Sequence, residues 1–289
     1  MKRSKIFGLL VLLMVYLVAT CIGLLVAYFI KDYFPMLITV LISDVIVTIV
    51  VWFFGVLFKT ASMYDPYWSI QTIIIYLTLI IYYNNFNLFT IIPLIAIVIY
   101  SIRLTLNFVI GFDSLSYVDW RYKMLAKKTG KAFQLVNLMG ICMFPTLVVY
   151  SASIPLFIYS TIETYSYIDI IGSFIILLGT LLELISDIQM KKFIKTRTSR
   201  QDVINVGLWK YSRHPNYLGE IIIWFGVAFI LIFNNVNYLY TIAGAIINLL
   251  MFIFISIPME ERHMKQYKSN LDKYIASTSP LLILPRRKK

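Results

Sequence analysis

Between Ile6 and Pro258 the chain is a succession of long apolar stretches separated by short polar ones. Roughly eight spans of about 20 residues, each long enough to cross the hydrocarbon layer of a bilayer, would absorb over half of the 289 residues. Sixty per cent of the residues are hydrophobic and only 14% charged, which excludes a soluble globular domain, where about a quarter of residues are charged. It equally excludes a disordered chain and a soluble protein on one membrane anchor. The expected fold class is therefore all-α: a multi-pass membrane helical bundle of about eight transmembrane helices, forming one integral-membrane domain over 1–289.

Hydropathy puts the candidate helices near 6–30, 36–58, 70–83, 88–110, 133–160, 168–187, 217–233 and 236–257. The apolar run after Met1-Lys2-Arg3-Ser4-Lys5 continues to Ile30 without a small-residue cleavage site, so it reads as a retained first span rather than a signal peptide. No internal repeat stands out. The long polar insertions are 111–131, 188–215 and the tail from 259. Cys21 and Cys142 both lie in apolar stretches and give neither a disulfide framework nor a metal-ligand pair.

The net charge of +12 does not point to nucleic acid, because the basic residues are scattered through short loops. With the N-terminus cytosolic, alternation puts the N-terminal tail, 59–69, 111–131, 188–215 and 259–289 on the inside, and these carry 24 of the 26 Lys and Arg. That asymmetry is the positive-inside pattern, and it predicts cytosolic N- and C-termini. The terminal Arg286-Arg287-Lys288-Lys289 is basic enough to meet anionic headgroups. The membrane is that of the endoplasmic reticulum in a eukaryote, or the inner membrane in a bacterium.

Ionisable side chains retained within spans tend to face protein and to serve a function, since insertion costs roughly 2.5–3.5 kcal/mol each. Here they are Asp44, Arg103, Glu183, Asp187 and Glu220. Four of the five fall in the cytosolic halves of their helices, and Asp65, in Ser62-Met63-Tyr64-Asp65-Pro66-Tyr67-Trp68-Ser69, lies at the same depth. A polar cavity open to the cytosol follows. The alternative is structural ion pairing of Arg103 with Glu183 or Asp187, with Trp68 in an interfacial aromatic belt. Asp44, nearer the outer face, fits neither account.

The strongest signal begins at Gly207 and reads G-L-W-K-Y-S-R-H-P-N-Y-L-G-E. Pro215 suits a first helical turn, where its missing N–H costs nothing. A helix start offers free amide N–H groups and the positive end of the dipole, so it attracts anions. Arg213 and His214 add donors there, as a phosphate-bearing cofactor requires. Asn216 and Glu220, four apart, share a face one turn into the membrane, with Trp224 one turn deeper. Interfacial contacts of Arg213 and His214 with lipid headgroups explain this run in part but leave Glu220 without a reason.

The string S-R-H-P-N-Y-L-G-E, with a Trp four residues on, resembles the C-terminal signature of the steroid 5α-reductase-like membrane enzymes, which reduce conjugated double bonds with NADPH. Three further matches are Asp65-Pro66-Tyr67-Trp68-Ser69, similar to the D-x-x-W-S of that family's bacterial-type branch; Tyr100-Ser101-Ile102-Arg103, similar to its Y-x-x-R; and Asp187-Ile188-Gln189 leading to Lys192, Phe193 and Lys195. With Met259-Glu260-Glu261-Arg262, Tyr274 and Ser279-Pro280, the resemblance covers roughly 40–285. It implies Asp65 and Tyr100 as catalytic residues. Arg103, Asp187, Lys195, Arg213, His214, Asn216, Tyr217, Glu220, Trp224 and Glu261 are then the NADPH-binding residues, most of them in a cofactor-binding part over 187–285, and no metal is expected. The substrate implied is a lipid-like small molecule arriving from the bilayer, a steroid, sterol, polyprenoid or enoyl compound.

Hydride addition to an alkene conjugated to a carbonyl drives negative charge onto the carbonyl oxygen, and donors aimed at that oxygen lower the barrier. Tyr100 suits such a donor, as does Asp65 if its carboxyl stays neutral in a dry pocket. The animal steroid reductases have a glutamate where Asp65 aligns, which argues against a steroid ketone in particular. The shorter R-H-P-x-Y-x-G is shared with isoprenylcysteine carboxyl methyltransferase-type enzymes, in which Arg213, His214, Tyr217, Glu260 and Glu261 would hold S-adenosylmethionine. A non-enzymatic transporter is a further alternative, though neither paired halves nor broken midplane helices appear.

Overall fold

The computed structural model describes residues 4–286. Met1, Lys2 and Arg3 lie outside the described residues, as does the basic tail beyond Arg286. Among the described residues 78% are helical and none forms a strand. Helices α1 (Lys5–Ile30) and α2 (Met36–Leu57) lead through a 3-10 turn, Ala61–Met63, to α3 (Tyr67–Tyr82), α4 (Leu88–Gly111) and α5 (Trp120–Thr129). Next come α6 (Phe133–Val136), a π-helical stretch at Asn137–Met143, and α7 (Phe144–Tyr159). Then follow α8 (Ile170–Thr196), α9 (Pro215–Asn234), α10 (Ala243–Met251), a second π-helical stretch at Phe252–Ser256, α11 (Ile257–Met264) and α12 (Leu271–Ser277).

Seven helical runs are long and apolar enough to cross a membrane: Lys5–Ile30, Met36–Leu57, Leu88–Gly111, Trp120–Tyr159, Tyr167–Thr196, Pro215–Asn234 and Val236–Met264. The chain is an integral membrane protein, and seven of the eight expected spans are present. The remaining one, 70–83, is α3, which has 16 residues; at 1.5 Å per residue it reaches about 24 Å, short of a hydrocarbon core of about 30 Å. Two helices also outrun their apolar stretches. The second half of the 111–131 insertion folds into α5, whose start is capped by the Asp119 side chain accepting from the Arg121 N–H at 2.9 Å. Helix α8 continues past Asp187 to Thr196. Hydropathy marks where apolar residues stop, whereas a helix stops where its caps are.

The chain divides into two compact units, one of residues up to Phe86 with Tyr100–Ser153, the other of Asn87–Ile99 with residues from Ile154. In the first, α1 packs on α2 around Leu12, Val15, Ala19, Val47 and Val51, with Met63, Tyr64 and Tyr67 in the same core. Hydroxyls tie α2 to α7. Thr146 gives its one proton to the Cys142 carbonyl at 3.0 Å, so the hydroxyls of Thr48 (2.8 Å) and Tyr64 (2.7 Å) both donate to it.

In the second unit, α8 and α9 run antiparallel along a seam of glycines. Gly172 meets Gly226 and Gly179 meets Gly219, seven residues apart on each helix. A methyl group on Gly172 would lie 2.5 Å from the Ile230 nitrogen, and one on Gly219 2.7 Å from the Gly179 carbonyl oxygen. Small residues let helix backbones approach this closely where lipid offers no hydrophobic drive. The same unit buries Asp169, whose Oδ2 accepts from the Ser166 N–H (3.0 Å), Asn234 Nδ2 (3.0 Å) and the Tyr159 hydroxyl (3.2 Å), closing a capping box ahead of α8. Replacing Gly172 by Ala is expected to cost about 1–3 kcal/mol through overpacking. Gly111→Ala, with nothing within 4 Å, is the control that leaves the thermal midpoint of the detergent-solubilised protein in place.

Candidate functional site

The S-R-H-P-N-Y-L-G-E run is anchored from both sides within the second unit. Ahead of it, Gly207 adopts φ +57° with the Gln189 side chain packed where a Cβ would stand, so only glycine fits. Gln189 Oε1 accepts from the Leu208 N–H at 2.9 Å, and the Trp209 indole donates to the Ser186 carbonyl at 3.0 Å. Behind it, residues 279–284 lie alongside 211–213. The Arg213 N–H donates to the Ser279 carbonyl (2.9 Å), the Ser212 hydroxyl to the Leu281 carbonyl (2.6 Å) and the Leu284 N–H to the Tyr211 carbonyl (3.3 Å).

Arg213 is 9% exposed and turns inward. Its Nε donates to Glu261 Oε1 at 2.7 Å, and its Nη1 to the carbonyls of Ile275 (2.8 Å) and Thr278 (2.7 Å), at the C-terminal end of α12. His214 Nε2 lies 3.2 Å from the same Glu261 oxygen, and its ring stacks on Tyr217 at 5.1 Å. Arg213, expected to bind a cofactor phosphate, thus has Nε and Nη1 engaged within the protein, where last-turn carbonyls and a carboxylate meet its planar fork of donors and join three segments. Pro215 has no N–H and the Leu218 N–H already bonds the His214 carbonyl.

One turn on, the Trp224 indole donates to Glu220 Oε1 at 2.8 Å, so the carboxylate that the spacing aligned with Trp224 does bond it. The buried Oδ1 of Asn216, on the same face, has no hydrogen-bond partner among the described residues. Of the other residues expected to hold cofactor, Asp187 is partly buried and Lys195 exposed, both on α8. Beside the Arg213 knot lies a polar hollow of about 370 Å3 lined by Asp202, Asn205, Ser269, Lys273, Tyr274 and Arg286. The Tyr274 hydroxyl donates to the Trp209 carbonyl at 2.5 Å, and Arg286 Nε to the Lys210 carbonyl at 3.2 Å, which joins the hollow to the signature. The Ser199 and Thr198 N–H groups hold the Asp202 carboxyl below its usual range, so the hollow carries two cations against one anion. Lys273 and Asn205 went unread in the sequence because they sit in polar segments without a motif, and Arg286 was read only as part of a basic tail that meets headgroups.

In the first unit, Asp65 follows the 3-10 turn and is partly buried. It accepts a hydrogen bond from the Tyr122 hydroxyl. Burial pushes its carboxyl up to about 6, against the pull of Arg121. The Tyr16 hydroxyl holds the Met63 carbonyl at 2.7 Å, and Ser62 Oγ accepts from the Asp119 N–H at 3.0 Å. Tyr100 is 1% exposed on α4, with the partly buried Arg103 three residues on. The hydroxyls of Ser69 and Thr105 are 3.2 Å apart, which fastens the D-P-Y-W-S segment to α4 within about two turns of Tyr100. Trp68 packs against the core cluster. Tyr122 was passed over in the sequence, since nothing marks a tyrosine in a polar insertion as the partner of an acid 57 residues away. Asp44, left without an account there, receives the Tyr67 hydroxyl at 2.7 Å and the Gln71 amide.

Removing one partner of a buried ion pair strands the other. Glu261→Ala is therefore expected to cost about 3 kcal/mol by leaving Arg213 uncompensated, and Glu261→Gln less because Gln keeps an acceptor oxygen. Thermal unfolding of the purified variants checks the order.

Neither a curated protein nor a solved structure matches the chain. The profile of a family described as a protein of unknown function, DUF1295, matches residues 51–278, a stretch that takes in Asp65, Tyr100, the Arg213 knot and Glu261. The chain is a member of the DUF1295 family.

Proposed function

We propose that this protein is an NADPH-dependent reductase of a carbon–carbon double bond conjugated to a carbonyl in a membrane lipid. The observation that carries the reading is Asp65: a carboxyl raised to about 6 and hydrogen-bonded to a phenol, on a segment fastened to the helix that bears the buried Tyr100. An acid of this kind keeps its donor form up to about pH 6, where an unshifted carboxyl has already lost it, and a donor is what stabilising an enolate oxygen requires. NADPH, when bound, supplies the hydride. Asn216 Oδ1, a buried acceptor in want of a donor, suits an amide N–H or a ribose hydroxyl of such a cofactor. Lys273 and Arg286 in the polar hollow suit its phosphates, a role that the engagement of Arg213 leaves open. Glu220, held by Trp224, orients the same helix face. Tyr100 and Asp65 hold and deliver the protons, Tyr122 orients Asp65, and the apolar surroundings exclude water.

The basic loops support eight crossings, with α3 as a short third span and both termini cytosolic, in the endoplasmic reticulum or a bacterial inner membrane. One observation favours a second reading. Arg213, His214, Tyr217 and Glu261 form a single cluster, the set that an isoprenylcysteine methyltransferase-type enzyme would use for S-adenosylmethionine.

The two readings separate on cofactor. The purified protein is expected to quench NADPH fluorescence at micromolar cofactor and to ignore S-adenosylmethionine; the opposite result transfers the case to the methyltransferase. Glu220→Gln is expected to weaken NADPH binding, while Tyr100→Phe binds normally and loses turnover; equal loss of binding in both refutes the division of roles. The pH dependence follows from Asp65. Its donor form is complete well below pH 6 and is lost as pH rises through about 6, so turnover should fall about tenfold per pH unit above that point. Asp65→Asn, which keeps a neutral N–H donor, should flatten that limb, and an unchanged limb would remove Asp65 from the reaction.

A further inference from the structure

The helical run from Trp120 to Tyr159 has 40 residues. At 1.5 Å per residue it would reach about 60 Å, twice a hydrocarbon core of about 30 Å. Its polar opening, α5 and the turn Gly130–Ala132, is the part left outside the hydrocarbon, and Gly130, at φ +53°, interrupts the helix there. That opening is also held close to the bilayer. The Thr60 hydroxyl, just past α2, donates to the Tyr117 carbonyl at 2.7 Å, Ser62 Oγ accepts from the Asp119 N–H at 3.0 Å, and the Tyr122 hydroxyl bonds Asp65. Lys5 Nζ, at the start of α1, donates to the Ile110 carbonyl at the end of α4 at 3.4 Å, and Phe112 and Leu115 share a core with Leu12. The start of α1 and the ends of α2 and α4 therefore meet at one membrane face, and α5 lies on it.

One side of α5 faces the protein: Tyr122 is buried and Leu125 packs against the core cluster. The other carries Lys123, Met124, Lys127 and Lys128, spaced three and four apart so that they form one patch, which Lys131 extends. All five side chains are exposed, Met124 by 40%. Among the described residues no carboxylate pairs with any of the four lysines. Asp119, the nearest acid along the chain, has both oxygens on Arg121, at 2.8 and 3.1 Å. Lys127 and Lys128 complement the helix dipole in the last turn. That accounts for neither Lys123, whose charge repels that of Lys127 one turn on, nor Met124 left open among them.

We propose that the outer face of α5 is a binding surface for anionic phospholipid headgroups, with the lysines on the phosphates and Met124 against the upper acyl carbons. Four ammonium groups without carboxylates call for negative charge, and the thioether among them calls for hydrocarbon. A helix fastened to the membrane face meets both in one molecule, an anionic lipid. A free anion supplies the charge without the hydrocarbon, and a zwitterionic headgroup supplies no net charge. The surface stands whether or not the reductase reading does.

The test is native mass spectrometry of the full chain in neutral detergent, titrated with phosphatidylglycerol or with phosphatidylcholine of the same acyl chains. Phosphatidylglycerol is expected to bind about tenfold more tightly or better, and inorganic phosphate to leave it in place. A lysine beside an anionic surface is worth roughly fivefold, so Lys127→Gln should weaken the binding about fivefold and the double change Lys123→Gln, Lys127→Gln about 25-fold. Lys265→Gln, whose charge is already met by Asp272 at 3.1 Å, should leave it unchanged. Equal affinity for the two lipids, displacement by inorganic phosphate, displacement by polyglutamate as a stand-in for an acidic protein, undiminished binding in the double variant, or an equal loss in Lys265→Gln would each overturn the proposal.

Discussion

A guanidinium withdrawn from water holds the C-terminal third of this protein together. Arg213 has no hydrophobic reason to be 9% exposed; it is buried because Glu261, Ile275 and Thr278 supply acceptors that fit its planar fork. That arrangement sets the direction in which the chain enters α9. It also brings α11 and α12, far along the chain, against the signature. The polar hollow lined by Lys273 and Arg286 exists because Tyr274 and Arg286 are drawn to the carbonyls of Trp209 and Lys210 by the same convergence.

The carboxylates show how a chain with so much hydrocarbon-compatible surface keeps polar groups. Asp169 saturates one oxygen with three donors and serves as a cap. Asp44 takes a phenol and an amide, and Glu220 takes an indole. Asp65 takes a phenol yet has a nearby cation in Arg121 that does not overcome its burial. These are different solutions to one cost, that of removing charge from water.

Membrane class, helical architecture and seven of the spans were legible in the sequence, because each rests on a local run of apolar residues that no distant contact can change. That Glu220 and Trp224 share a helix face was legible for a similar reason, a fixed helical spacing, although their hydrogen bond was not foreseen. What could not be read depended on separation along the chain. The inward turn of Arg213 needs acceptors between 48 and 65 residues away, and the pairings of Asp65 with Tyr122 and of Asp44 with Tyr67 and Gln71 have no signature at all. The helix near 70–83 was legible too, as the 16-residue α3, but not whether it crosses the membrane, since an apolar composition identifies a buried helix as readily as a spanning one.

The strip in which residues 279–284 lie beside 211–213 has a consequence for biogenesis. Chains are made from the N-terminus, and a helix as apolar as α9 enters the bilayer as soon as it emerges. Its opening turn, however, borrows carbonyls and amides from a segment synthesised nearly 70 residues later. Nascent molecules therefore pass through a stage in which α9 has been made while Ser212 and Arg213 still lack the partners that residues 279–284 bring.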